Sequence, residues 1–242
     1  MNIKIISTLT GVAERCAEEF VDFIKLRTNN GKSVMIAISG GNTPKLLFQI
    51  LFANYSKSVN WSLVHFFWVD ERCVSPDDPE SNYGEANNIL LKNVNIPLDN
   101  IHRLKGEANP EKEVLRYAEE LRKFLRSKNG YPVFDLVLLG MGDDGHTASI
   151  FPGNLSLIDS DRLCDVAIHP VTGQKRLTLT GKVINNSDEI WFLITGNKKA
   201  QVIHDIFTKK GNWMHYPASF IAPASGNMFW FLDYDASALI KE

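Results

Sequence analysis

What most constrains this chain is a series of short apolar runs, rich in β-branched and aromatic residues, that recur along it with helical patterns between them. Ile3–Ser7, Val34–Ile38, Leu63–Val69, Phe134–Leu139, Ile190–Thr195 and Met228–Leu232 are each strand-sized. In the first intervening stretch, Val12 to Leu26, the residues Val12, Cys16, Phe20, Phe23 and Ile24 fall on one helical face. Glu14, Arg15, Glu18, Glu19 and Lys25 fall largely elsewhere, so the spacing predicts an amphipathic surface helix. Further helices are predicted at Pro44–Tyr55, Tyr83–Lys92, Pro110–Ser127 and Lys198–Thr208. Strands that are nearly continuous in apolar residues must be covered on both faces. The alternation therefore predicts an α/β fold, a mostly parallel Rossmann-like sheet with helices on both faces. In such a sheet ligands bind in the crevice outside the carboxyl ends of the strands, so the polar, glycine-rich segments there are expected to carry the function. Region 153–175 is the least regular and reads either as a flap or as connecting loop.

No internal repeat, low-complexity tract or Pro/Ser-rich linker divides the 242 residues, and a single domain, 1–242, is expected. With 44% hydrophobic and 22% charged residues the chain can bury a sizeable core. Twenty-six basic against twenty-eight acidic side chains give a net charge of −2, which argues against a nucleic-acid partner but leaves room for a local basic pocket. Cys16, Cys73 and Cys164 lie far apart and form no C-x-x-C pair, so neither a disulfide framework nor a thiolate zinc site is suggested. A reducing, cytoplasmic setting is expected. No apolar run approaches the ~18 residues that cross a bilayer, so no membrane partner is expected. The stretch Ile3–Ala13 is broken by Lys4 and followed at once by a charged helix, unlike a signal peptide.

Three segments that end strands carry the chemistry. Ser39-Gly40-Gly41-Asn42-Thr43-Pro44 follows Val34–Ile38 and precedes a helix that Pro44 can open as its first residue. Two glycines let the backbone turn its N–H groups toward a bound group, and the positive end of the helix favours an anion, most naturally a phosphate. The plain alternative is an ordinary turn capped by Thr43. Asp70-Glu71-Arg72 places three charges at the mouth of a buried strand, a costly arrangement unless they face a cleft or pair with one another. Arg72 offers a planar fork to phosphate or carboxylate oxygens. Just downstream, Ser81 or Asn82 can cap the next helix and line the same cleft. Third, Gly140-Met141-Gly142-Asp143-Asp144-Gly145-His146-Thr147-Ala148-Ser149 brings the backbone close to whatever sits there and puts His146 at the predicted start of a helix. Histidine suits proton transfer near neutrality. The plain alternative is that Asp144 and His146 only hold the turn.

His65, His102, His169, His204 and His215 are scattered and read as structural or surface residues. No pair has H-x-x-x-H or H-E-x-x-H spacing, so no metal site is expected. Ser39 and Ser149 lie outside any G-x-S-x-G elbow, which counts against a serine hydrolase and leaves hydrolysis by an activated water open.

In this order Ser39–Pro44, Asp70–Arg72 with Val74, Ser81–Tyr83 and Gly140–Pro152 resemble the 6-phosphogluconolactonase family. Its pattern runs S-G-G-x-T-P, D-E-R-x-V, S-N-Y, then G-x-G-x-D-G-H-T-A-S-[IL]-F-P. Later segments, Arg176–Thr180, Thr195–Lys199 and Pro217–Ser219, are similar too, so the likeness spans almost the whole chain. Gly181-Lys182 departs from the family, which often has a proline or leucine there.

The resemblance implies hydrolysis of 6-phospho-D-glucono-1,5-lactone in the oxidative pentose phosphate pathway, with a sugar-phosphate lactone as the small-molecule partner and no cofactor. A monomer or homodimer fits equally. It implies His146 as general base, Asp144 as its orienting group, and Arg72 or backbone N–H groups around Gly142 as donors to the carbonyl oxygen. Ser39, Gly40, Gly41, Asn42, Thr43, Asp70, Gly142, Arg176 and Lys199 are expected around substrate and phosphate. Two alternatives stay open. Related amino-sugar-phosphate deaminases resemble D-G-H-I-A-F-N-E, but the residue five after His146 is Phe151, so the ring-opening proton carrier is missing. A non-catalytic sugar-phosphate sensor would need only the phosphate loop.

Overall fold

The computed structural model describes residues 2–240. In chain order its elements are β1 (Asn2–Ile6), α1 (Leu9–Thr28), β2 (Val34–Ile38), α2 (Asn42–Tyr55), β3 (Val64–Trp68), β4 (Asp70–Arg72), α3 (Asn82–Ile89), β5 (Ile101–His102) and α4 (Pro110–Phe124). There follow β6 (Ser127–Lys128), β7 (Tyr131–Pro132), β8 (Leu136–Leu139), α5 (Ser156–Asp159), β9 (Cys164–Ile168), β10 (Lys175–Leu179), α6 (Gly181–Asn185), β11 (Glu189–Ile194), α7 (Ala200–Thr208) and β12 (Met228–Asp233). Short 3₁₀ turns link several of them.

Seven strands form the central sheet in the order β1-β12-β11-β8-β2-β3-β5, and all neighbours are parallel. Parallel strands need covering on both faces, and β3 shows how this is met. Successive residues of a strand point to opposite faces. Phe66 stacks on Phe20 of α1, whereas its neighbour Phe67 lies against His102, on which Phe124 of α4 packs. Helices therefore cover both sides, as the apolar runs predict. Each fully buried Phe, Val or Ile side chain contributes ~1.5–3 kcal/mol, and α1 alone buries Val12, Phe20, Val21, Phe23 and Ile24. His65 and His102 are structural, as expected: His65 Nδ1 lies 2.9 Å from His102 Nε2, and His102 Nδ1 lies 2.8 Å from Glu120 Oε1.

The strand order also locates the crevice. From β2 the chain steps outward to β3 and β5, and from β8 it steps the other way to β11 and β12. β2 and β8 are neighbours, with Ile36 opposite Leu136 and Ala37 opposite Val137. Their outgoing loops diverge, which opens the sheet at a topological switch point.

Several expectations are corrected here. Region 153–175 carries α5, β9 and the start of β10. β9 and β10 join β4 in a second, three-stranded antiparallel sheet. β4 is too short and charged to read as a strand from sequence. α2 starts at Asn42, so Pro44 is its third residue, and α4 ends at Phe124. Lys198 lies in a 3₁₀ turn ahead of α7. No helix follows His146 directly, because Ala148 adopts φ +51° and a bridge pairs Thr147 with Ile150. Gly181, where the chain departs from the family pattern, is pressed against the Ile158 backbone: a Cβ there would lie 2.5 Å from its carbonyl oxygen. No described helix is long and apolar enough to cross a membrane.

Candidate active site

At the end of β2, Ser39 Oγ donates to Leu138 O at 2.9 Å and ties the two switch-point strands together. Gly40 has no room for a side chain, because a Cβ there would lie 1.9 Å from Asn82 Oδ1. Asn82 in turn donates from Nδ2 to Asp70 O at 2.9 Å, so segments far apart in sequence interlock. Gly41 is the N-cap of α2 at φ +112°, a conformation that favours glycine, and no side chain caps the helix. Thr43 is the second residue of α2, not its cap. Its Oγ1 lies 3.0 Å from Thr195 Oγ1. The leading N–H groups of a helix have no intrahelical partner, and those of Asn42 and Thr43 remain available among the described residues.

Opposite, β4 pairs with β10 so that Arg72 stands directly across from Arg176. Like charges directly opposite each other on neighbouring strands are destabilising. An anion between them removes the penalty. Burial, and after it the Arg72 charge, push the Arg176 guanidinium below its ordinary pKa, while the Asp70, Glu80 and Glu71 charges pull the other way. Arg72 donates from Nη1 to Glu80 O, while its buried Nε has no partner. Asp70, also buried, accepts from Ser149 Oγ at 2.7 Å and steadies the turn after His146. Glu71 points away from the cleft: its carboxylate accepts from the N–H groups of Arg72, Asn82 and Tyr83, all at 2.8 Å, and from Ser81 Oγ at 3.0 Å. Ser81 is the cap of α3. The three-charge cluster thus divides, with Glu71 serving the scaffold and Asp70 and Arg72 the cleft.

The turn after β8 presents His146. Its Nδ1 lies 2.6 Å from Asp144 Oδ1, and its N–H donates to the same oxygen at 3.1 Å. A hydrogen bond from Nδ1–H to a carboxylate leaves Nε2 with a lone pair, and Nε2 has no partner among the described residues. Burial pushes the Asp144 carboxyl up, but the hydrogen bond and charge of His146 more than offset it and hold it below its usual range. Phe151 packs on the imidazole with ring centroids 4.9 Å apart. Gly142 forms the floor of the pair, since a Cβ there would come within 2.1 Å of His146 Nδ1.

These parts surround one cleft of about 390 Å³, within the usual range of about 300–1,000 Å³ for small-molecule sites. Ser39, Gly40, Gly41, Asn42, Thr43, Asp70, Arg72, Gly142, His146, Arg176 and Lys199 all line it. Asp144 stands behind His146. Lys199 is also paired with Asp143, so its charge is shared between the cleft and the His146 turn. Sequence reasoning missed Leu9, Leu193 and Ile194 as lining residues, carried Ala148 only within the segment Gly140–Ser149, and knew Thr195 and Gly196 as site residues only as part of a resemblance. The signal for Thr195-Gly196 was present, because they follow a buried strand as the other loops do. Gly196 N–H is held by both oxygens of Asp233, at 3.0 Å each.

A family model described as glucosamine-6-phosphate isomerases/6-phosphogluconolactonase matches residues 7–230. A 6-phosphogluconolactonase of Haemophilus influenzae is 41% identical over 241 residues, covering 99% of this chain and 100% of the relative. The crystal structure of the devB protein superposes with a TM-score of 0.93 at 42% identity, covering 99% of both chains. The 6-phosphogluconolactonase of Trypanosoma brucei gives 0.90 at 27% identity, covering 99% of this chain and 98% of its own.

Proposed function

The chain belongs to the glucosamine-6-phosphate isomerase/6-phosphogluconolactonase family, and from that premise we propose that it hydrolyses 6-phospho-D-glucono-1,5-lactone to 6-phosphogluconate in the oxidative pentose phosphate pathway. One observation carries the reading: a free imidazole nitrogen, oriented by Asp144, shares a single cleft with an open helix N-terminus and two facing arginines.

In the proposed reaction His146 Nε2 takes a proton from water as its oxygen adds to C1 of the lactone. The carbonyl electrons move onto oxygen, and Arg72 stabilises the oxyanion, because the Gly142 and Gly145 N–H groups expected there are already taken by His146 O and Gly142 O. When it collapses, the bond between C1 and the ring oxygen breaks and imidazolium returns its proton to that oxygen, giving the open-chain acid. Asp144 holds the tautomer and steadies the imidazolium. The phosphate sits on the N–H groups of Asn42 and Thr43, with Arg72, Arg176 and Lys199 as counter-charges. Its binding energy holds the lactone in register with His146. The three unpaired cysteines support a cytoplasmic setting.

The direct test is acid release after adding freshly generated lactone, against a protein-free blank. His146→Ala is expected to lower kcat ~10²–10⁴-fold. Turnover near the parent value at saturating substrate would remove His146 as the base.

A further inference from the structure

The turn that carries His146 is a closed circuit of backbone hydrogen bonds, from Gly142 N–H to His146 O at 2.8 Å and from Gly145 N–H to Gly142 O at 3.1 Å. Those bonds fix its shape but not its seat on the protein. Phe151 packs on the imidazole and Thr147 Oγ1 donates to Gly140 O at 2.9 Å, and the rest of the seat comes from contacts on two sides. On one, Lys199, just ahead of α7, pairs with Asp143. On the other, the Tyr216 side chain fills the space beside Gly145. A Cβ on Gly145, which sits at φ +80°, would lie 2.5 Å from Tyr216 Cδ1 and 2.6 Å from its Cβ and Cγ. Two residues further on, Ala218 N–H donates to Gly145 O at 3.0 Å.

Tyr216 is itself braced. Buried Asp205, near the end of α7, accepts from Gln201 Nε2 at 2.7 Å, His204 Nδ1 at 3.3 Å and Asn212 N–H at 3.2 Å. Tyr216 O–H reaches its Oδ2 only at 3.4 Å. The hydroxyl contact is long and the ring contact is close, so the ring makes the contribution. Tyr216 is not among the residues that line the cleft.

We propose that Tyr216 is a positioning residue for the His146–Asp144 pair, its ring acting as the back wall that keeps the turn 142–146 aimed into the cleft. This rests on the roles proposed above for His146 and Asp144. Misplacement of a reacting group by about 1 Å can cost ~10²-fold, and removing the ring leaves the turn free to retreat.

Tyr216→Ala is expected to lower kcat about 10–100-fold with KM changed less than about threefold. Tyr216→Phe, which keeps the ring, is expected to stay within about twofold. In an Asp144→Asn background, Tyr216→Ala is expected to lower kcat by less than about threefold more, because two residues serving one geometry are not additive. If Tyr216→Ala does not fold, Tyr216→Leu carries the same cycle. Equal losses in the two backgrounds, a fall expressed only in KM, an unchanged kcat, or a Tyr216→Phe loss as large as that of Tyr216→Ala would each overturn the proposal. His146→Ala is measured alongside. If it keeps parental turnover, the base assignment fails, whatever Tyr216 does.

Discussion

The amino ends of α2 and α3 both follow strand ends at the same cleft, yet one is open and the other closed. At α3 the Ser81 hydroxyl accepts from Gly84 N–H, and the Glu71 carboxylate takes the N–H groups of Asn82 and Tyr83. Every strong donor that end could offer a ligand is already used. At α2 the capping position is Gly41, no side chain reaches back, and Asn42 and Thr43, which carry the first N–H groups, line the same cleft as Arg72 and His146. Charge at a strand mouth does not by itself mark a site. Glu71 is the most buried carboxylate of the three-charge segment, at 2% exposure, and it is structural. What separates the two ends is whether their hydrogen bonds close inside the protein.

The largest expected effect tests the closed end. Glu71→Ala strips the acceptor from three backbone N–H groups and a hydroxyl. At ~1–3 kcal/mol per buried unsatisfied donor, with water able to reach some of them, the loss is on the order of 4 kcal/mol. For a chain of this size that lowers Tm by about 10 °C, measured by thermal unfolding. A Tm within about 2 °C of the parent would break the comparison. Next comes the open end. Gly41→Ala forces an L-residue into a φ of +112°, which costs about 1–3 kcal/mol, and puts a methyl beside the phosphate seat. KM for the phosphorylated lactone is expected to rise about tenfold, with a smaller fall in Tm than for Glu71→Ala. An unchanged KM would mean that the phosphate does not use this helix.

The local half of this picture was legible in the sequence and the long-range half was not. Val34–Ile38 is a strand to the residue because it is central and buried, and the loops after β2, β3 and β8 could be picked out because each follows such a run. Nothing in the chain order says that Arg72 faces Arg176, that Asn82 fills the space above Gly40, or that Tyr216 seats Gly145. Those pairings come from tertiary contacts between distant segments. The helix expected at His146 failed for a local reason, since Gly145 and Ala148 both take positive φ and break the helical path. The expected start of α2 at Pro44 slipped because glycine at Gly41 can cap with its backbone alone.

The smallest expected effect sharpens the comparison through pH. Burial pushes the Glu71 carboxyl above its ordinary value, although hydrogen bonds from Tyr83, Asn82, Arg72 and Ser81 pull it down. A carboxyl raised in this way keeps its proton longer in the folded chain than in the unfolded one. Between the two values the folded state binds more protons, so stability falls as pH rises through that window. The contribution is fully present below the unfolded value, about 4.3, and is lost above the folded one. Glu71→Gln has no such titration. The stability difference between parent and Glu71→Gln is therefore expected to shrink as pH is raised from about 4 to about 7 in urea unfolding. The open end has no carboxylate, so the difference between parent and Gly41→Ala is expected to stay flat across the same range. A parent advantage over Glu71→Gln that grows with pH would mean that the four donors outweigh burial, and that the closed end is held by charge as well as by geometry.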